Sequence, residues 1–270
     1  MDGTGDPVAR GRSGERPVPA GLTAAVRDDW AALGAPTRAP AALDHVAVSG
    51  LPEPAVRWVR HAIGEGTPLH RAVHLRMHGE IRLGSWSPFT AVQRLSVSDG
   101  FVWAATARVR GLPVVGFDRW TRGAGEMRWR LLGAVPVMSA EGEDVTLSAA
   151  GRHAGELLIA VPTAALSPEV TWRSVAPDRA VAIVKTGGNR HEVTLTVGTD
   201  GALTEVVMQR WGAAGRGAYA ELPFGATLHG EVTFGGITVP RRITAGWHYG
   251  TDRWAEGQFI RWTVDEARFL

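Results

Sequence analysis

From residue 73 onward, apolar and polar residues alternate in short segments. In VHLRMHGEIRL (73–83), Val73, Leu75, Met77, Ile81 and Leu83 fall on one side, and His74, Arg76, His78, Glu80 and Arg82 on the other. A period of two is the mark of a strand with unlike faces. Alternating segments at 88–97, 101–109, 112–120, 126–132 and 134–140 follow at roughly 12-residue spacing, as in an up-and-down antiparallel sheet. A second series occupies 170–175, 179–185, 191–197, 202–210, 226–234, 237–248 and 258–268. In the last pair, Ile237, Val239, Ile243, Ala245 and Trp247 share one face, and Ile260, Trp262 and Val264 alternate again after a Gly/Asp-rich turn.

Three segments break this rhythm with helical spacing. Leu22, Val26, Trp30 and Leu33 predict a helix over 22–33, which Pro36 and Pro40 end. Val56, Val59, Ala62 and Ile63 predict another over 54–63, with Pro52 and Pro54 at its start, where a missing N–H costs little. Between the two strand series, Leu147, Ala150, Ala154, Leu157, Leu158 and Val161 form a stripe over 147–161, stopped by Pro162.

A sheet of about a dozen strands accumulates twist and must curl, close or split. With a helix placed between its halves, the pattern predicts a mainly β protein. Its large curved antiparallel sheet, a half-barrel, has its concave face covered by helix 147–161. The expected organisation is a disordered polar extension over 1–20, N-terminal helices over 21–67 and the curved β domain over 68–270. A hollow of this kind is a natural apolar pocket.

Composition narrows the chemistry. The 270-residue chain is 44% hydrophobic, which excludes general disorder, and its 34 glycines and 16 prolines suit many turns. It has no cysteine, so disulfides, thiolate catalysis and Cys-ligated metal sites are excluded. Lys185 is the single lysine among 29 basic residues and the one route to a Schiff base. Net charge is +2, and arginines alternate with acids rather than clustering, which argues against a nucleic-acid footprint. No apolar run approaches the roughly 20 residues of a membrane span. The N-terminal stretch lacks the apolar region of a secretory signal, so the expected location is cytoplasmic. Oligomeric state is left open.

The segments PFTAVQ (88–93), LPVVGFDRW (112–120), GEMRWRLLGAVPV (125–137), AAGRHAGELL (149–158) and FGGITVPRRITAGWHYG (234–250) together resemble an uncharacterised bacterial family, DUF6544, over about residues 50–268. That resemblance implies no particular reaction. The strand–helix order is also similar to the half-barrel of periplasmic lipoprotein carriers and related lipid-binding proteins, a resemblance of architecture.

Several residues could carry chemistry. His74 and His78 have metal-like spacing, but four residues along a strand span roughly 13 Å, too far for one ion. They read as part of a solvated strand face, and neither a metal nor a cofactor is expected. Glu126 shares a face with Arg128 and Arg130. It reads either as an outward charge or as an acid/base group held by a guanidinium at a pocket mouth. His248 lies near Tyr249 and Asp252 in AGWHYGTDRW. There Asp252 either shapes a turn or pairs with His248 to orient a base. No nucleophile elbow accompanies them. Arg152, His153 and Glu156 read most simply as the exposed face of helix 147–161; if that helix plugs the half-barrel, they line its pocket instead. The glycine turns at 186–189 and 213–218 precede no helix and are no phosphate cradle.

Two main functions fit. One is a binding module for a hydrophobic small molecule or acyl chain, with Trp103, Trp129, Trp172, Trp247 and Trp262 as lining residues. The other is a cyclase or hydrolase acting on a hydrophobic metabolite, with Glu126 or His248 moving protons. A structural domain with a filled core is the third possibility.

Overall fold

The computed structural model describes residues 18–35, 42, 48–214 and 218–270; the extension expected over 1–20 falls, up to residue 17, outside the described residues. Helices α1 (Ala24–Leu33) and α2 (Glu53–Ala62) come first. A meander follows: β1 (Ala72–Leu83), β2 (Ser85–Ser96), β3 (Gly100–Val109), β4 (Leu112–Thr121), β5 (Ala124–Leu131) and β6 (Val135–Glu141). Helix α3 (Glu143–Ala160) and a 3-10 turn (Pro162–Leu166) lead into the second meander. This comprises β7 (Val170–Ala176), β8 (Arg179–Thr186), β9 (Asn189–Val197), β10 (Leu203–Gly212), β11 (Ala220–Phe234), β12 (Ile237–Trp247) and β13 (Gln258–Phe269), with a short helix, α4 (Trp254–Gly257), before the last strand.

All 13 strands form one antiparallel sheet in the order β6-β5-β4-β3-β2-β1-β13-β12-β11-β10-β9-β8-β7. The two meanders join where β13 pairs with β1, for instance Leu75 opposite Ala267. Strands β6 and β7 are the free edges, so the sheet is not closed. Helix α3 carries the chain from one edge to the other, and it touches β5 on one limb and β10 on the other. Those strands are eight steps apart in the sheet, about 38 Å if it were flat, whereas an 18-residue helix is about 27 Å long and 10 Å wide. The sheet therefore curves around the helix, as the alternating pattern predicts.

Local sequence explains the tight meander. Arg110-Gly111 (φ 50 and 82°) and Arg122-Gly123 (φ 53 and 73°) make two-residue turns with both residues left-handed. That turn matches strand twist, and glycine in its second position relieves most of its cost.

Two apolar layers result. Helix α1 packs Val26, Trp30 and Leu33 on the convex face of the sheet, against Val102, Ala104 and Phe117. The larger core lies on the concave face, where Ala150, Ala154, Leu157 and Leu158 of α3 meet the sheet. Helix α2 adds Trp58, Val59 and Ala62 to this core near β8, β9 and β12.

The structure departs from the sequence pattern in three places. Helix α3 begins four residues before the expected 147, because Gly142 (φ 109°) breaks the strand and Glu143 and Asp144 suit a helix N-terminus. Strand β11 begins at Ala220 rather than 226, pairing Pro223 with Gln209 despite the proline and Gly225 that mask it in sequence. His74 is not solvated. Helix α1 covers its strand face, leaving His74 buried with its ring edge-on to Trp30 at 5.6 Å, while His78 is exposed and bonded to Asp265 at 2.8 Å. No cluster of metal-ligating side chains occurs among the described residues.

Candidate functional site

Cross-strand register builds the site. Residues directly opposite in a sheet point to the same face. Gln93, Trp103, Asp118 and Met127 stand opposite one another across β2 to β5, forming one row on the concave side. On the other limb, Met208 of β10, Phe224 of β11 and Trp247 of β12 form a second row. Helix α3 lies between the limbs with Gly151, Arg152, Gly155 and Glu156 toward both rows. Between them remains a cavity of about 380 Å³, walled mainly by apolar side chains that include Met77, Ile81, Ile260 and Trp262. That size is in the range of small-molecule sites.

Four charged side chains face this hollow. Arg152 Nη1 donates to Asp118 Oδ2 at 2.9 Å, and Arg152 Nε to Glu156 Oε1 at 2.7 Å. The remaining oxygens are also engaged: Trp129 Nε1 donates to Asp118 Oδ1 at 2.9 Å, and Gln93 Nε2 to Glu156 Oε2 at 2.6 Å. The Arg152 guanidinium also lies over the Phe101 and Trp103 rings, at 4.7 and 5.2 Å. Burial raises the Asp118 pKa above its ordinary value, outweighing the pull of Arg152 and Trp129. Burial would lower the Arg152 pKa, but Glu156 and then Asp118 more than offset this, and it stands above its ordinary value. The polarised carboxyl–guanidinium cluster is thus held rigid inside an apolar wall.

The fourth group is different. Arg210 of β10 is buried (8% exposed) and donates from Nε to the Ser148 carbonyl at 3.1 Å and from Nη2 to the Ser148 hydroxyl at 3.3 Å. Its guanidinium carbon lies 4.6 Å from the Phe224 ring and 5.1 Å from the Trp247 ring. Burial, then Arg152, lowers its pKa to about 9. Gly212 makes room for the Trp247 indole: a Cβ there would lie 2.1 Å from the ring.

Of the tryptophans expected to line the hollow, Trp103, Trp247 and Trp262 do so. Trp129 stands behind Trp103, 5.6 Å between rings, and acts through its bond to Asp118. Trp172 is elsewhere: it packs against Trp58 and donates to the Ala165 carbonyl at 3.0 Å. The placement of Glu126 at a pocket mouth is also corrected. Glu126 is buried on the convex side, ion-paired with Arg128 and with Arg119 (2.8 Å), which also bonds Asp29 of α1 at 3.3 Å. His248 sits in the turn after β12 with φ 60°, its N–H bonded to the Pro223 carbonyl at 2.6 Å, and it does not line the cavity. No hydrogen bond or ion pair joins His248 to Asp252 among the described residues.

The exposed-face reading of Arg152, His153 and Glu156 is overturned. His153 is fully buried between the Ser96 carbonyl (2.8 Å) and the Thr186 hydroxyl (3.0 Å), and burial lowers its pKa to about 4. Sequence reading missed Gln93, Asp118 and Arg210. A signal for them existed: Gln93 interrupts the apolar row Phe89, Ala91, Leu95, and Arg210 extends the row Val206, Met208. A polar group in an apolar row of a strand points inward.

Comparison with known proteins places the chain in a family. A family model described as "Family of unknown function (DUF6544)" matches residues 42–259, most of the chain, and the protein belongs to that family. Among solved structures, the chain is similar to a putative outer membrane lipoprotein-sorting protein domain from Vibrio parahaemolyticus, at TM-score 0.38 and 11% identity, covering 74% of this chain and 85% of that one. It is also similar to a LolA superfamily protein from Nitrosomonas europaea, at TM-score 0.39 and 8% identity, with coverage of 80% and 92%. A DUF1329 family protein from Desulfovibrio piger gives TM-score 0.40 and 11% identity, with coverage of 80% and 90%. A search of curated proteins found no match.

Proposed function

We propose that the protein is a binding module that holds a hydrophobic small molecule or acyl chain in the concavity of its sheet. The observation behind this reading is the cavity of about 380 Å³ between α3 and the sheet. Its walls are mainly Met, Ile, Trp, Phe and Ala side chains, and α3 meets it through Gly151 and Gly155. Glycines on the inner face of a helix leave space that larger residues would fill, and an apolar hollow is a favourable place for an apolar ligand to leave water. Native mass spectrometry of gently purified protein, followed by displacement of a neutral fluorescent hydrophobic dye, tests it. A co-purifying apolar ligand or saturable dye binding supports the reading. No binding across a varied panel leaves the structural-domain reading.

A second reading, an enzyme acting on a hydrophobic metabolite by acid/base catalysis, draws on one observation: Asp118 stands in the cavity wall with its pKa raised by burial. A carboxyl of that kind can act as a general acid. The role moves there from Glu126 and His248. Mass analysis of bound ligand before and after incubation separates the two readings, since an unchanged ligand argues for binding alone.

A further inference from the structure

We propose that the ligand is an amphiphile with a negatively charged head, which seats on Arg210 while its chain fills the apolar hollow. This rests on the binding-module reading and adds to it the charge and position of the head.

The argument begins with which partners are already taken. Asp118 and Glu156 are the carboxylates in the cavity wall, and all four of their oxygens are bonded: to Trp129 and Arg152, and to Arg152 and Gln93. Neither can turn to Arg210 without breaking its own bonds. Arg210 carries five N–H donors. Its hydrogen bonds among the described residues both go to Ser148, a carbonyl and a hydroxyl with no charge to offer. The flanking Phe224 and Trp247 rings give a favourable cation–π surface but accept no charge-assisted hydrogen bond. Among the described residues Arg210 is thus a buried cation without an anion in contact, and such a group is costly to keep. An arriving carboxylate, phosphate or sulfate would supply the bidentate acceptor that guanidinium geometry suits.

The position fits an amphiphile better than a free anion. Arg210 stands on the same concave row of β10 as Val206 and Met208, so a head on Arg210 directs its chain along apolar wall toward Met77 and Ile260. Counted together, Arg152, Arg210, Asp118 and Glu156 balance. Asp118, with its raised pKa, is the group able to take up a proton and keep that balance when an anion enters.

Competition against a neutral hydrophobic dye tests this. The competitors share one chain: decanoate, decyl phosphate, decanol and decyltrimethylammonium, with acetate and inorganic phosphate as chainless controls. We expect decanoate or decyl phosphate to bind at least about tenfold tighter than decanol, the scale of one charge-assisted hydrogen bond. Comparing the two anionic heads shows which one the site prefers. Arg210→Met should erase the preference for the anionic heads over decanol, and Arg210→Lys should keep part of it. Thermal melts check that both variants fold; removing an unpaired buried charge should not lower stability. Equal affinity for decanol and the anions, or a preference unchanged in folded Arg210→Met, overturns the inference and leaves the binding-module reading standing. Binding of acetate or inorganic phosphate as tight as that of the decyl anions overturns the amphiphile. If no decyl compound competes, the binding-module reading fails and this inference fails with it.

Discussion

Arg152 in the middle of α3 and Asp118 on β4 meet at 2.9 Å, joining helix to sheet inside the concavity. The contact fixes the depth of the helix in the hollow, because the second guanidinium edge is held by Glu156 one turn further along. Arg152→Met removes the shared partner of two half-buried carboxylates and should destabilise the fold by about 1–3 kcal/mol. Urea unfolding measures it. The double variant Arg152→Met/Glu156→Gln should recover part of the loss, and a simple sum of the two single effects would count against the coupling.

Acid should weaken the fold through His153. Its pKa falls from 6.5 unfolded to about 4 folded, so the folded state favours the neutral ring. The unfolded chain binds the proton first. This contribution is therefore complete above about pH 6.5 and is lost as pH falls toward 4, by about 3 kcal/mol in all. His191, whose pKa burial and Arg210 also lower, acts in the same direction. Unfolding free energy measured from pH 7 to 4 should fall more steeply in the native chain than in His153→Gln. Equal slopes would remove His153 from the account.

Filling the hollow should separate binding from folding. Gly155 on α3 faces the cavity, and a Cβ there meets only the Met208 sulfur, at 3.5 Å. Gly155→Leu should gain about 1 kcal/mol of helix propensity and occupy ligand space. Dye binding should drop severalfold with the melting temperature kept or raised. Undiminished binding would place the ligand elsewhere.

Gly212 should tolerate no side chain. Its Cβ would lie 2.1 Å from the Trp247 ring, which is itself held beside Phe224 and Arg210. Gly212→Ala should cost about 1–3 kcal/mol as overpacking and weaken ligand binding by shifting Trp247. Melting temperature and dye affinity should fall together.

Helix α1 should depend on Asp29. This buried carboxylate bonds Arg122 at 2.8 Å, Arg119 at 3.3 Å and the Thr121 hydroxyl at 2.7 Å. Asp29→Ala removes these bonds from α1, although Arg119 keeps Glu126 and Arg122 stands in solvent, and should cost about 1–3 kcal/mol. Trypsin should then cut at Arg27 faster than in the native chain, and unchanged cleavage would show that apolar contacts hold α1 by themselves.

The sequence by itself determined the elements. Period-two alternation, the proline stop at Pro162 and the stripe of α3 are local signals, because backbone sterics and face burial act over a few residues. They were enough for a curved antiparallel sheet around a helix. Only the tertiary structure decided the site. Asp118, Arg152 and Arg210 lie on three elements far apart in sequence, and register and helix rotation bring them to one cavity. The same chemistry that made Glu126 conspicuous placed it under α1, where Arg119 and Arg128 neutralise it. A charge in a strand carries no local mark of whether its face is solvent, helix or cavity. That depends on what the sheet curves around, and here it curves around α3.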